Sequence, residues 1–238
     1  MPDNSVALVS RQGGLLKAVQ MIANNIANAS TPGFKSEGAI FSEYVSEGRS
    51  LATSLSMGRF VGQSTDYASG PLKQTGGTYD FAIQGEGFFK VSTPAGERLT
   101  RAGSYTTDLE GVIVDPAGNP LLDEGGGEIT IPPDAVSVGV GQDGTLSVDG
   151  EIFAKIGVYT PLGEPERVGD NLWRVPDGDA VFEEGRVLQG FIEGSNVQPV
   201  AEFAKLMLAQ RMYEAGQKMA DQEHERLSTL IDAMRQQG

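Results

Sequence analysis

The sequence predicts a mainly β central domain, an antiparallel sandwich or barrel-like body, with N- and C-terminal α-helices that form a coiled-coil-like inner domain. Helical spacing of apolar residues near both ends, tight-turn pairs in the middle and an uneven charge distribution predict this class. Residues 37–196 hold ten basic residues, 25 acidic residues and 27 of the 32 glycines, whereas 1–36 and 197–238 are nearly neutral. An acidic, turn-rich body is therefore expected between two helical arms.

The first arm, residues 1–36, is predicted to be a helix. Its apolar residues are spaced by four, three and four positions, which places them on one side of a helix. They are Leu15, Val19, Ile22 and Ile26. Thr31-Pro32-Gly33 ends the helix, because proline cannot continue it and glycine supplies the turn.

The middle of the chain is predicted to be an acidic β domain at 79–185, with an extended connector at 37–78 and a return connector at 186–197. Residue pairs that favour tight turns separate short runs of β-branched and aromatic residues. These pairs are Glu110-Gly111, Gly118-Asn119, Asp143-Gly144, Asp149-Gly150 and Asp177-Gly178. Since this domain shows no periodic segment of helix length, an antiparallel sandwich or a small barrel is expected.

The last arm, residues 198–238, is predicted to be a longer helix with a heptad pattern of two rows. One row is Leu206, Tyr213, Ala220, Leu227 and Met234, and the other is Phe203, Gln210, Gln217, His224 and Ile231. The second row is polar at its centre, which suits a helix that must choose its register. An ordinary surface helix with an apolar stripe is the alternative. We expect both arms to be partly disordered in the free monomer and to fold when they pack.

The charge balance opposes two classes of partner. With 18 basic and 32 acidic residues the formal net charge is −14, whereas nucleic acids and anionic membrane surfaces are bound by clustered Lys and Arg. No run approaches the roughly 18 apolar residues of a membrane span, and the N-terminus lacks a secretory signal pattern. We therefore expect no nucleic acid, no membrane insertion and, for any export, another route.

The sequence offers no constellation for catalysis, a cofactor or a metal ion. The one histidine, His224, lies in the predicted heptad pattern, and the absence of cysteine leaves too few ligands for a zinc site. Paired acids can serve a glycosidase or hold calcium, but those present sit beside glycine or proline and are expected to be solvated. They are Asp123/Glu124, Glu164/Glu166, Asp177/Asp179 and Glu183/Glu184.

Several blocks of sequence resemble the flagellar basal-body rod and hook protein family. The first is Ala23-Asn24-Asn25-Ile26-Ala27-Asn28, followed by Thr31-Pro32-Gly33-Phe34-Lys35. The blocks that follow are residues 72–76 with 79–89, residues 100–105 with 118–121, and residues 188–197. Because they occur in order over nearly the whole chain, chance is not a serious competitor. The length and the opening residues 5–12 favour a proximal-rod protein of this family over a distal-rod one.

The resemblance implies a structural subunit of the rod, where the basal body crosses the periplasm, and not an enzyme. It implies export by the flagellar type III system, and Phe41 and Val45 resemble the element read by the export gate, although an ordinary strand fits them equally. It also implies that the terminal helices polymerise into an inner tube with like subunits and other proximal- and distal-rod proteins, and that this tube transmits torque.

The residues expected at this assembly interface lie on both arms and in the turn after the first helix. They are Leu15, Val19, Ile22, Asn24, Asn25, Ile26, Asn28, Phe34, Phe203, Leu206, Gln210, Tyr213, Gln217, Leu227 and Ile231. The asparagine side chains can bond neighbouring backbone or another chain and so specify contacts, and plain exposed positions are the alternative.

Three other functions compete with a proximal-rod subunit. A distal-rod subunit is the alternative within the family. A secreted β-domain binding module, which does not account for the two helical arms, and a cell-wall hydrolase that uses two acids are the alternatives outside it.

Overall fold

A computed structural model describes residues 3–46, 55–182 and 184–235 and separates the chain into two compact units. The helical unit comprises Met1–Ala27, Ser36–Asp66 and Val197–Gly238, and the β unit comprises Asn28–Lys35 and Tyr67–Asn196. The predicted mainly β middle with a helix towards each end is confirmed.

The helical unit contains two helices and a hairpin of two long strands. Its elements are α1 (Asp3–Ala27), β1 (Glu37–Ser46), β2 (Leu55–Thr65) and α2 (Pro199–Arg235). The strands pair antiparallel from Glu37 with Thr65 to Ser46 with Leu55, and the register shifts between Ile40 and Phe41. The hairpin therefore occupies much of the predicted extended connector.

The helix ends follow local chemistry. After α1 the chain turns through a hydrogen bond from Thr31 N to Asn28 O at 3.1 Å. Gly33 has φ +69°, and a Cβ there would lie 2.3 Å from Ala102 N, so glycine is required. Pro199 opens α2 at a position where a missing N–H removes no helical hydrogen bond. Over the described residues, neither helix is both long and apolar enough to cross a membrane.

The β unit is built from short strands in small, separate sheets. The strands are β3 (Leu72–Gln74), β4 (Phe81–Gln84), β5 (Phe89–Thr93), β6 (Gly96–Thr100), β7 (Thr106–Thr107), β8 (Ile113–Val114), β9 (Val138–Val140), β10 (Thr145–Val148), β11 (Glu151–Lys155), β12 (Tyr159–Pro161), β13 (Glu166–Gly169), β14 (Leu172–Arg174), β15 (Asp179–Val181), β16 (Arg186–Gln189) and β17 (Phe191–Glu193). The largest sheet has the order β13-β14-β6-β5, and β11-β10-β9 form a three-stranded sheet.

The expected barrel-like closure is corrected by this topology. Among the described strands no sheet closes on itself, since each sheet is an open row of two to four strands. A barrel requires every strand to be paired on both sides. The strands of this unit have at most five residues and are interrupted by turns, as at Asp149-Gly150, where both residues have positive φ. This pair forms the predicted two-residue turn between β10 and β11.

The larger of two buried apolar clusters among the described residues of the β unit joins several of the small sheets. Its buried members are Phe81, Ile83, Phe89, Val91, Tyr105, Ile113, Leu121, Ile129, Ile131, Leu146, Ile156, Val158 and Val187. Pairing between residues far apart in the chain, such as Val187 with Ile83, brings them together. Burial of such side chains contributes about 1.5–3 kcal/mol each, so this cluster is the main source of stability in the β unit.

A buried ion cluster attaches the segment Asn28–Lys35 to the rest of the β unit. Glu193 Oε1 accepts hydrogen bonds from Lys35 Nζ at 2.7 Å and Gly70 N at 2.8 Å, and its Oε2 accepts one from Arg101 at 2.8 Å. All three charged side chains are at most 4% exposed. Lys35 Nζ also donates to Ala68 O at 2.8 Å. Two cations and one carboxylate are thus fixed in the interior by short hydrogen bonds.

Candidate functional site

The candidate site is formed by α1 and α2 of the helical unit, which pack against each other. On α2, residues of reduced exposure recur with spacings of four, three, four, three and four, a heptad pattern. We call them the α1-facing seam: Glu202, Leu206, Ala209, Tyr213, Gly216 and Ala220. Glu202 and Ala209 are buried, and the other four are half-buried.

Two contacts show that the helices run antiparallel. Asn25 Nδ2 donates to Glu202 Oε2 at 3.2 Å. At the other end of the seam, a Cβ built on Gly216 would lie 3.8 Å from Gln12 Cγ. At a rise of 1.5 Å per residue, Gln12 to Asn25 covers about 20 Å and Glu202 to Gly216 about 21 Å. The two contacts therefore belong to one consistent register.

The face of α1 that is covered is broad. Leu15, Ala18 and Asn25 are buried, and the predicted stripe residues Val19, Ile22 and Ile26 are half-buried. The covered face is broad because α1 contacts β1 and β2 as well as α2. The side chain of Lys17 illustrates that contact, with its ammonium 4.9 Å from the centre of the Phe60 ring.

Asn25 joins three segments of the helical unit through its side-chain amide. Its Oδ1 accepts a hydrogen bond from Glu37 N at 3.0 Å, and its Nδ2 donates to Glu37 O at 2.8 Å and to Glu202 Oε2 at 3.2 Å. Glu202 Oε1 accepts from Lys205 Nζ at 2.6 Å. Asn25 is 1% exposed and Glu202 is 5% exposed, so each of these buried polar groups has hydrogen-bond partners.

Half of the predicted heptad pattern on α2 faces α1. Leu206 and Tyr213 lie in the α1-facing seam, but Phe203, Gln210 and Gln217 are exposed, and their row is replaced by Glu202, Ala209 and Gly216, one residue earlier. Small residues let the helix backbones approach, and the Glu202 carboxylate has a donor in Asn25. The heptad spacing of the small residues Ala209, Gly216 and Ala220 was the feature of the sequence that could have predicted this side of α2. The side chains of Leu227 and Ile231 lie outside the described residues.

The remaining predicted interface residues are divided between the two units. Asn24 is exposed on α1, whereas Asn28 and Phe34 belong to the β unit. Asn28 Oδ1 accepts from Thr31 Oγ1 at 3.2 Å, and Phe34 is buried beneath the guanidinium of Arg167, 4.4 Å from its ring centre. Asn28 and Phe34 thus build the turn after α1, and their role in assembly remains a prediction. Phe41 and Val45 lie on β1, but their side chains are outside the described residues.

Large apolar side chains remain exposed on α2 on either side of the α1-facing seam. Leu208, Met212 and Met219 lie about 100° around the helix from it, a set that we call the methionine stripe. Leu208 and Met219 are 58% and 59% exposed. Val200, Phe203 and Met207 are exposed on the opposite flank. Within the described part of the chain, α1 therefore covers one side of this helix and leaves apolar side chains exposed on both flanks.

The described residues contain no group of three or more His, Cys, Asp or Glu arranged to hold a metal ion. His224 is exposed on α2. The helical unit instead offers surfaces for packing, with a hydrogen-bonded polar pair at one end of the seam and exposed apolar side chains beside it.

Comparison with known proteins supports one assignment along the chain. Residues 8–35 match the model of the flagella basal body rod protein family, 82–148 the flagellar hook protein FlgE/F/G D1 domain, and 188–233 the flagellar basal body rod FlgEFG protein C-terminal family. The α1-facing seam and the methionine stripe both fall within the last of these matches.

Whole-length relatives agree with the matches. The chain is 40% identical to flagellar basal-body rod protein FlgF of Caulobacter vibrioides, with 98% of each chain covered, and 34% identical to FlgF of Mesorhizobium japonicum, with 90% of each covered. It is 32% identical to flagellar basal-body rod protein FlgG of Bacillus subtilis, with 91% of this chain and 93% of the relative covered. The predicted likeness to FlgF, the rod protein that the opening residues favoured, is confirmed.

Proposed function

Since the chain belongs to the flagellar basal-body rod protein family, it is a structural subunit of that rod, and we propose that it joins its neighbours through the methionine stripe, the exposed flank of α2 beside the packed helix pair. The single observation that carries this proposal is the methionine stripe. Leu208, Met212 and Met219 lie on a helix whose other side is already covered by α1.

The physical argument is one of uncovered apolar area. A contiguous apolar surface on a soluble chain marks a contact with another molecule, and methionine is enriched at interfaces because it adapts to its partner. Covering the exposed part of each stripe residue is worth on the order of 1 kcal/mol. In the structure α1 and α2 are formed and packed together within one chain, and partial disorder of the arms in the free monomer stays a prediction.

The α1-facing seam itself is proposed to be a short antiparallel coiled-coil-like pair within each subunit. Its spacing alternates between four and three residues, as heptads require. Neighbouring subunits related by a screw operation then contact each other through unlike surfaces, which gives an extending filament rather than a closed ring. Torque passes along such a tube through packed helices, with other rod subunits at both ends.

We test this by placing a charge on the stripe. The double variant Met212→Glu, Met219→Glu should be exported and folded but absent from purified basal bodies, because two carboxylates cannot be buried unpaired at a helix contact. The matched control is Ser228→Glu, an exposed position of α2 about 180° around the helix from the stripe. Basal bodies that contain the double variant at the level of the control would refute the proposal.

Export is a separate part of the proposal. We propose that the flagellar type III gate reads the segment with Phe41 and Val45, supported only by its spacing of a phenylalanine and an aliphatic residue. Substitution of both by alanine should retain the protein in the cytoplasm, as measured by immunoblotting of cytoplasm and medium. Unchanged secretion of the double alanine variant would place the signal elsewhere.

A further inference from the structure

We infer that the buried contact between Asn25 and Glu202 is a register lock, which selects one antiparallel alignment of α1 and α2 within the chain. The inference concerns the folding of one chain, so it does not depend on which surface joins subunits. Its evidence is the buried polar network at one end of the α1-facing seam and the repetitive nature of the rest of the seam.

The apolar part of the seam discriminates poorly between alignments. A shift of α2 by seven residues along α1 would bring Tyr213 to the place of Leu206 and Gly216 to the place of Ala209, which exchanges apolar or small residues for one another. At the far end of the seam Glu223 would take the place of Gly216 beside Gln12, a half-buried polar residue. Such a shift moves the helix by about 10.5 Å but keeps the same side towards α1. Heptad spacing alone therefore leaves the alignment open.

The polar end of the seam is where the alignments differ. In the shifted alignment Ala209 would face Asn25, and the Glu202 carboxylate would lose the Asn25 amide. In the observed alignment Glu202 is 5% exposed and accepts from Asn25 at 3.2 Å and Lys205 at 2.6 Å. Glu202 would keep Lys205, which moves with it on α2, but one amide hydrogen of Asn25 would stay buried against Ala209 without an acceptor. A buried polar group without a partner is disfavoured strongly, whereas a satisfied one specifies the register.

The Asn25 amide is oriented by hydrogen bonds that do not involve Glu202. Its oxygen accepts from Glu37 N and its nitrogen donates to Glu37 O, and these two bonds exclude the flipped amide. The second hydrogen of Nδ2 is left to point at Glu202. The backbone of Glu37, at the start of β1, thus makes Asn25 a directed donor, and Asn25 and Glu202 act as positioning residues for the helix pair.

Disulfide trapping tests the lock cleanly because the chain has no cysteine. Gln12→Cys with Gly216→Cys reports the observed alignment, since a Cβ at Gly216 lies 3.8 Å from Gln12 Cγ. Val19→Cys with Gly216→Cys reports the shifted alignment, because Val19 follows Gln12 by one heptad. Mild oxidation of the dilute full chain, followed by non-reducing electrophoresis, separates intramolecular from intermolecular products.

In the otherwise unchanged chain, the Gln12/Gly216 pair should close at least tenfold more than the Val19/Gly216 pair. Glu202→Leu should keep the helical circular dichroism but bring the two yields within about threefold of each other. Asn25→Leu should do the same, and Glu202→Gln, which keeps an oxygen for Asn25, should restore the original preference.

Two results would overturn the inference. The first is an unchanged tenfold preference in both leucine variants, which would show that apolar packing selects the alignment. The second is loss of both crosslinks, which would show that the contact holds the helices together without choosing between alignments. Repetition in the methionine-stripe double variant keeps this result separate from the assembly proposal, because that variant should retain the lock.

Discussion

Replacing Glu193 by alanine would leave two buried cations without their shared anion. The Glu193 carboxylate receives donors from Lys35 at 2.7 Å, Gly70 N at 2.8 Å and Arg101 at 2.8 Å, and no part of Glu193 is exposed. Lys35 and Arg101 are themselves 1% and 4% exposed. A water molecule in the vacated space would carry no charge to balance the two cations.

The expected loss of stability is large. Breaking a buried ion pair by removal of one partner costs about 3–5 kcal/mol, and the unpaired Gly70 N–H contributes to the same loss. These terms are not additive, so we expect about 4 kcal/mol in the free energy of unfolding of the β unit. With a urea slope near 2 kcal/mol per molar for a unit of this size, the midpoint should fall by about 2 M.

The chain provides its own probe and its own control. Trp173 is the one tryptophan, is 1% exposed in the β unit and lies 5.6 Å from the Tyr67 ring, so its fluorescence reports unfolding of that unit. Glu124→Ala breaks the Glu124–Lys155 pair, whose side chains are 37% and 43% exposed, and should cost less than about 1 kcal/mol. A midpoint for Glu193→Ala equal to that of Glu124→Ala would refute the reasoning.

Three further outcomes are expected. Leu146→Ala should lower the free energy of unfolding by about 2–5 kcal/mol through a core cavity, while Ile152→Ala, at an exposed site, should change it by less than about 0.5 kcal/mol, both by urea titration of Trp fluorescence. Gly13→Ala, at a position in α1 with open space around it, should add up to about 1 kcal/mol to helix stability and make the ellipticity at 222 nm more negative. A loss of helical signal at 222 nm in this variant would contradict the helix assignment. Burial, and then the charge of Asp179, raise the pKa of Tyr159 to about 12, so the folded chain binds the phenol proton more tightly than the unfolded chain. The stability that this difference supplies is present below pH about 10, and the free energy of unfolding should fall by up to about 3 kcal/mol as the pH rises through 12. Tyr159→Phe should remove this pH dependence.

Elements and turns were predictable because their signals are local. The spacing of Leu15, Val19, Ile22 and Ile26 predicted α1, and Asp149-Gly150 predicted the turn between β10 and β11. The sheet arrangement was not predictable in this way. β4 pairs with β16, which is distant in the chain. Strands this short have too few alternating residues to predict which strand they pair with.

The candidate site divides in the same way. The sequence by itself determined that a long amphipathic helix, α2, lies near the C-terminus, that Leu206 and Tyr213 share one side of it, and that the chain is a rod-family protein, because each of these depends on residues close in sequence or on motif order. Only the tertiary structure decided that Glu202, Ala209 and Gly216, rather than Phe203, Gln210 and Gln217, complete the side towards α1. The two rows are one residue apart, about 100° around the helix, and both satisfy heptad spacing. The choice between them depends on Asn25, which is distant in the chain and supplies the donor that lets a glutamate be buried.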